Sequence, residues 1–331
     1  MNKQYVSSLQ KKMFRYAFIT SVFTEFTQII ALTVDSLIVC IYLGELEIGA
    51  VGIAGPFFYL VGIPACCLAS GLQTLCAQEM GRGRVDGVGR LFSETVSLTG
   101  AVLLALTAIV ALTVPGIAWL FGARGSTAEM HPATCQYLYG LTFEIVPFVL
   151  MSITIPVVTL DNGSRTVMLS SIAGCLTDII LDIVAVTQGW GLFGIGLASS
   201  MSALVSFLVL LTHFLKKKRT IRFKLAKIGF RSIWNVIRTG LSSAFHSMAG
   251  MIRSWLLNMI AISAGGSVAM SLIAIHGTIL DFVDIAAVGI AGAVGVLASI
   301  GLKTVCALAK EFNYYRVYGM NTTMIRLEQP D

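Results

Sequence analysis

Two aspartates sit where an apolar helix should carry none. Asp178 and Asp182 lie inside the stretch 169–188, which otherwise reads as a membrane-spanning helix. Placing a carboxylate at bilayer depth costs about 2.5–3.5 kcal/mol on insertion scales, so such residues mark function unless they are paired. A spacing of four puts both on one helix face, one turn apart. Carboxylates grouped in a low-dielectric interior can hold a proton or a hard cation, because they cannot all stay ionised without a counter-charge.

Other oxygens fall at the same depth. Asp35 lies eight residues before the outer end of the first apolar span, and Ser199 lies eight residues after the start of the sixth. At 1.5 Å rise per residue, Asp35, Asp178, Asp182 and Ser199 are all roughly 9–15 Å below the outer end of their helices. The four together form a candidate cation-binding and coupling site. Neither His nor Cys accompanies them, so a transition metal is not indicated, and sodium is the only metal ion the set suggests. A structural polar network that fastens the first, fifth and sixth spans is the alternative reading. Glu144, Asp281 and Asp284 are further acids within apolar spans and candidate lining for a substrate cavity. Glu25 is a weaker candidate of the same kind.

The elements that position these residues follow from composition. The chain has 331 residues, 56% hydrophobic and 12% charged, with a mean hydropathy of +0.83. A water-soluble fold could not bury so much apolar sequence, and repeated runs of about 20 apolar residues indicate helical spans. Eight spans can be drawn, at about 14–43, 48–78, 92–121, 134–160, 166–188, 191–215, 233–262 and 268–301. The expected fold is all-α and polytopic, with a six-helix N-terminal lobe at 1–215, a basic linker at 216–232, two helices of an incomplete second lobe at 233–302 and a polar tail at 303–331. Residues 44–81 weakly resemble 265–301, as a repeated lobe would require. Pro56, Pro64, Pro147 and Pro156 should kink their helices. Gly191, Gly194, Gly196 and Ala198, like Gly289, Gly292 and Gly295, permit close helix contact.

Charge sets orientation. Lys3, Lys11, Lys12 and Arg15 lie in the N-terminal segment before or at the start of the first span, Arg82, Arg84 and Arg90 follow the second, and a run of lysines and arginines fills 216–231. The intervening loops hold little basic charge, so the positive-inside rule places the N-terminus and the linker in the cytoplasm. The net charge of +6 is therefore a topology signal, and no nucleic-acid partner is expected. The seven cysteines lie mostly in apolar runs without ligand spacing and read as small buried hydrophobes. Phosphate-binding loops, zinc-protease motifs and nucleophile elbows do not occur in the sequence, and neither does the glycine–aspartate motif of intramembrane aspartyl proteases, so enzyme classes are not indicated.

Four segments resemble the multidrug and toxic compound extrusion (MATE) family in order and spacing: TVDSLIVCIYLGELEIGAVGIAGP at 33–56, AQEMGRGRVD at 77–86, LDNGSRTVMLSSIAGCLTDIILDIV at 160–184 and GLFGIGLASSMS at 191–202. The resemblance implies a proton- or sodium-coupled antiporter of the bacterial inner membrane. It would export amphipathic, often cationic compounds by alternating access, with no cofactor besides the coupling ion. Its partners would be the lipid bilayer and small substrates, without an obligate protein partner. Asp35 and Asp182 match the family's cation-site acids, and Ser199 stands where a threonine is usual. Asp178 departs from a common asparagine, which favours protons or a cation bound beside a protonated acid. The family has twelve helices, so a product shortened after the eighth is expected, and an inactive remnant is one alternative function. A lipid-linked saccharide flippase of the same superfamily is another, but Arg253 is the only clear basic residue within a span, which argues against it.

Overall fold

The computed structural model describes residues 3–81, 85–215 and 229–299. Among them all regular structure is helical. In chain order the helices are α1 (Lys3–Ile38), α2 (Glu45–Gly81), α3 (Val85–Phe121), α4 (His131–Thr142), α5 (Ile145–Leu160), α6 (Ser164–Thr187), α7 (Gly191–Leu211) and α8 (Phe230–Ser299). Five are long and apolar enough to cross a membrane, or six if the α4–α5 pair, bent by 49°, is one broken span. The expected seventh and eighth spans both fall within α8, which breaks at Gly266. There φ is 57° and ψ is −133°, a conformation that a residue with a Cβ adopts only under strain. The side chains of Lys3, Lys11 and Lys12, the surroundings of the glycines at 289, 292 and 295, the whole of Arg82 and Arg84, the run 216–228 and the tail 303–331 lie outside what the structure describes.

The bundle is apolar outside and small or polar where helices meet. On α6, Ile172, Leu176, Ile180 and Ile183 are exposed, while Ser170, Gly174, Asp178, Asp182 and Ala185 are buried. This pattern inverts that of a soluble amphipathic helix, and the reason is the solvent: lipid accepts the aliphatic face, and only the bundle interior can solvate a polar one. Leu104 and Leu112 on α3 are likewise exposed.

Small residues set the helix separations. A Cβ on Gly140 of α4 would lie 2.6 Å from the Phe193 carbonyl oxygen of α7, and one on Gly196 would lie 2.6 Å from that of Tyr137. Ser200 seals this crossing by donating to the Gly140 carbonyl at 2.7 Å. Ser170 and Ser206 exchange hydrogen bonds with each other's backbone carbonyls between α6 and α7, at 2.8 and 3.2 Å. Of the small residues expected to allow close contact, Gly194 and Gly196 each face neighbouring backbone or Cβ atoms.

The α4–α5 bend has a covalent cause. Pro147 has no N–H to give the Phe143 carbonyl one turn earlier, and its ring crowds that carbonyl. The helix breaks at Phe143 and Glu144, where the Glu144 N–H bonds the Leu141 carbonyl at 3.0 Å in a tighter turn. The kink thus falls one turn before the proline that produces it.

At one end of the bundle, the α5–α6 turn is tied to the end of α7. His213 Nε2 meets Asp161 Oδ2 at 2.9 Å with both side chains buried, and Phe214 stacks on Phe92 of α3 at 5.3 Å between centroids.

Candidate functional site

Asp35, Asp178 and Asp182 converge. Each offers a carboxylate oxygen, and these oxygens all lie within 4.8 Å of one another. All three residues are buried, at 7%, 5% and 0% exposure. Asp178 and Asp182 share the buried stripe of α6, and α1 packs against that stripe to bring Asp35 beside them. Immediately beyond Asp35, α1 widens into a π turn at Val39–Leu43, closed by Gly44 at φ 119°. Such π turns are frequent at functional positions because they rotate the face that follows.

The cluster lacks donors. Asp35 Oδ1, Asp178 Oδ1 and both oxygens of Asp182 are buried without a hydrogen-bond partner, while the carboxyls of Asp35 and Asp182 stand close enough to share a proton. Two unit charges 4.8 Å apart repel by about 3.5 kcal/mol at an effective dielectric constant of about 20. Three ionised acids would hold three such repulsions, offset only in part by the Ser202 hydroxyl that faces Asp178. The oxygens therefore suit either a proton held between carboxylates or a hard cation, whose ligands are oxygens of this kind.

Two residues that the depth count overlooks belong to this group. Tyr137 of α4 is buried, packs edge-on against Phe58 with centroids 6.5 Å apart, and lies within electrostatic reach of Asp35, Glu144, Asp182 and Asp178. It is six residues into its helix and carries no charge, so spacing along the chain does not single it out. Ser202 of α7 faces Asp178, whereas Ser199 donates its hydroxyl to the Ile195 carbonyl at 3.3 Å. The two serines are one helical turn apart on one face of α7, with Ser202 about 4.5 Å deeper and close to the depth of Asp178.

Glu144 joins the cluster electrostatically, acting on Asp35 and feeling Asp178. It stands at the break that Pro147 imposes, half-buried. The structure therefore places it within electrostatic reach of the carboxylates. Asp281 and Asp284 fall in the part of α8 whose side chains lie outside the described residues. Glu25 is half-buried on α1. A separate open hollow of about 840 Å³ lies between the end of α3 and α8, lined by Trp119, Arg124, Ser126, Met259 and Gly266, with the Arg124 guanidinium 4.4 Å over the Trp119 ring.

A bundle of membrane-length helices around an enclosed carboxylate cluster defines an integral membrane protein of the transporter class. The MatE family model matches residues 20–184, half of the chain, which runs from the middle of α1 to near the end of α6 and takes in all three clustered aspartates. The chain belongs to the MatE family, whose members are transporters and not enzymes. Solved structures share the fold at low identity. A MATE protein in complex with MaD3S matches with a TM-score of 0.77 at 20% identity, over 92% of this chain and 70% of its own. The MATE multidrug transporter DinF-BH, solved with a bound ligand, matches with a TM-score of 0.79 at 18% identity, over 95% of this chain and 76% of its own. A MOP superfamily transporter from Pyrococcus furiosus Vc1, described by the reverse polarity of its binding pocket, matches with a TM-score of 0.80 at 21% identity, over 92% and 69%. Among curated proteins there is no match.

Proposed function

We propose that this chain is a cation-coupled antiporter that exports amphipathic, often cationic compounds by alternating access, using a proton or sodium ion as the coupling ion. The observation that carries this reading is the convergence of three buried carboxylates from α1 and α6 with four oxygens lacking donors. A stable, loaded state needs a proton or cation among them, and an emptied state is electrostatically costly. The site therefore has two states of different free energy, which is what a gradient needs in order to drive a conformational equilibrium. Asp35, Asp178 and Asp182 would hold the ion. Ser202 and Tyr137 would orient and hydrogen-bond the carboxylates, and Glu144 would add negative potential from the α4–α5 break. The multidrug transporter among the similar structures supports a varied set of small organic compounds as cargo, and the net negative potential of the acids favours cationic ones. The basic N-terminal segment and interlobe run support a cytoplasmic N-terminus in a bacterial inner membrane.

The test is efflux of a fluorescent organic cation such as ethidium from energised cells or proteoliposomes. The intact chain should lower dye accumulation under a proton or sodium gradient, and Asp182→Asn should abolish this at unchanged expression. An intact, membrane-inserted chain that moves no dye under either gradient would sink the proposal.

A further inference from the structure

The longest helix contact in the molecule is the antiparallel seam between α2 and α8. It runs nearly the whole length of α2. Near one end, Gly71 and Gly240 touch backbone to backbone, and Cys67 Sγ approaches the Ile237 carbonyl at 3.6 Å. Further along, Gly62 faces Ser247 and Gly55 faces Ser254. At the other end the Ser271 hydroxyl donates to the Glu45 carbonyl at 3.0 Å. Within this seam Asn258 is 2% exposed, and its Nδ2 donates to the Ile53 carbonyl at 3.2 Å and to the Gly52 carbonyl at 3.5 Å.

The chemistry of α2 explains why an amide sits there. The Gly52 carbonyl would ordinarily accept from the N–H four residues on, which is Pro56 and has none. A carbonyl without a donor at membrane depth is costly, and a neighbouring helix is the usual remedy. We propose that Asn258 is a positioning residue that pins α8 to the carbonyl left open by Pro56, and so holds the α2–α8 seam shut. The pin is polar and reversible, unlike the apolar contacts around it. A rearrangement that parts α8 from α2 must break it, and the proposal needs no assumption about cargo or coupling ion.

The experiment reads seam closure directly. In a full-length chain whose seven native cysteines are replaced by alanine, Gly62→Cys and Ser247→Cys form an oxidative cross-link, scored by mass spectrometry after protease digestion. Those sites adjoin across the seam, with Ser247 Oγ 4.0 Å from the Cβ position of residue 62. Losing the amide donors by Asn258→Leu or Asn258→Ala should slow cross-linking by about tenfold, the effect of one net buried hydrogen bond. Pro56→Ala restores the N–H that the Gly52 carbonyl lacks. In that background the Asn258 substitutions should slow cross-linking by no more than about threefold, since only the weaker demand of Ile53 remains. A general packing defect would not be rescued this way. Cross-linking at the parental rate in the folded Asn258→Leu chain overturns the proposal, and so does an equal slowing with Pro56 and with Ala at position 56.

Discussion

Replacing Asp182 by Asn should stabilise the protein while removing its response to cations. Asp182 has 0% exposure, and neither of its oxygens has a donor. It lies within 4.8 Å of two other carboxylates, so each ionised neighbour costs it about 3.5 kcal/mol at an effective dielectric constant of about 20. A proton shared with Asp35 removes part of that repulsion, and the buried amide keeps a desolvation cost of its own. A net gain of about 1–3 kcal/mol in ion-free buffer remains, in line with the general finding that buried charge is held for function at the expense of stability. The assay is thermal unfolding of the purified chain in detergent, with and without sodium at a constant ionic strength kept by choline. A cation bound only by the folded state stabilises by about 2.7 kcal/mol at a hundred times its Kd. If sodium is the coupling ion, the wild type should therefore gain Tm with sodium and the variant should not. If protons serve, the same contrast appears as an acid-dependent gain that Asp182→Asn lacks. A variant that melts lower than wild type in ion-free buffer, or that keeps the full wild-type response to both ions, would refute the electrostatic reasoning.

Other substitutions test the architecture around the site. Gly240→Leu would force a side chain into the Cys67 carbonyl across the α2–α8 seam, and overpacking of this kind should lower stability by about 1–3 kcal/mol, read as a drop in Tm or in folded yield. Pro147→Ala returns an N–H to the Phe143 carbonyl and should reduce the 49° bend that places Glu144; spin-label distances between α4 and α5 should lengthen, and dye efflux should fall. His213→Ala leaves the buried Asp161 carboxylate without its 2.9 Å partner and should cost about 1–3 kcal/mol, with faster proteolysis at the α5–α6 turn. Tyr137→Phe removes only the phenol oxygen among the acids, so it should weaken cation-dependent stabilisation while leaving the ion-free Tm within about 1 kcal/mol of wild type.

Much of this site is legible from spacing alone. Asp178 and Asp182 share a face because the helix repeat is 3.6 residues, and Asp35 shares their depth because rise per residue is constant. Both are local properties, carried by the chain whatever it packs against. The small residues of α6 and α7 mark contact faces for the same reason: lipid offers nothing to a serine, so a serine stripe must turn inward.

Rotation about a helix axis and the partner across a seam are not local. Ser199 and Ser202 share a face of α7 one turn apart, and only the packing of α7 on α6 through Gly174, Ser170 and Ser206 sets which turn meets Asp178. By sequence Glu144 fits the lining of a cavity, and the break imposed by Pro147 places it within electrostatic reach of the carboxylates. Tyr137 carries no charge and stands out only when α4 is seen against α1 and α6. Composition and periodicity therefore determined that this chain is a membrane-spanning helical bundle with acids at a common depth. The tertiary structure decided which oxygens meet, because that depends on distances between helices far apart in the chain, set by where glycine and serine let one backbone approach another.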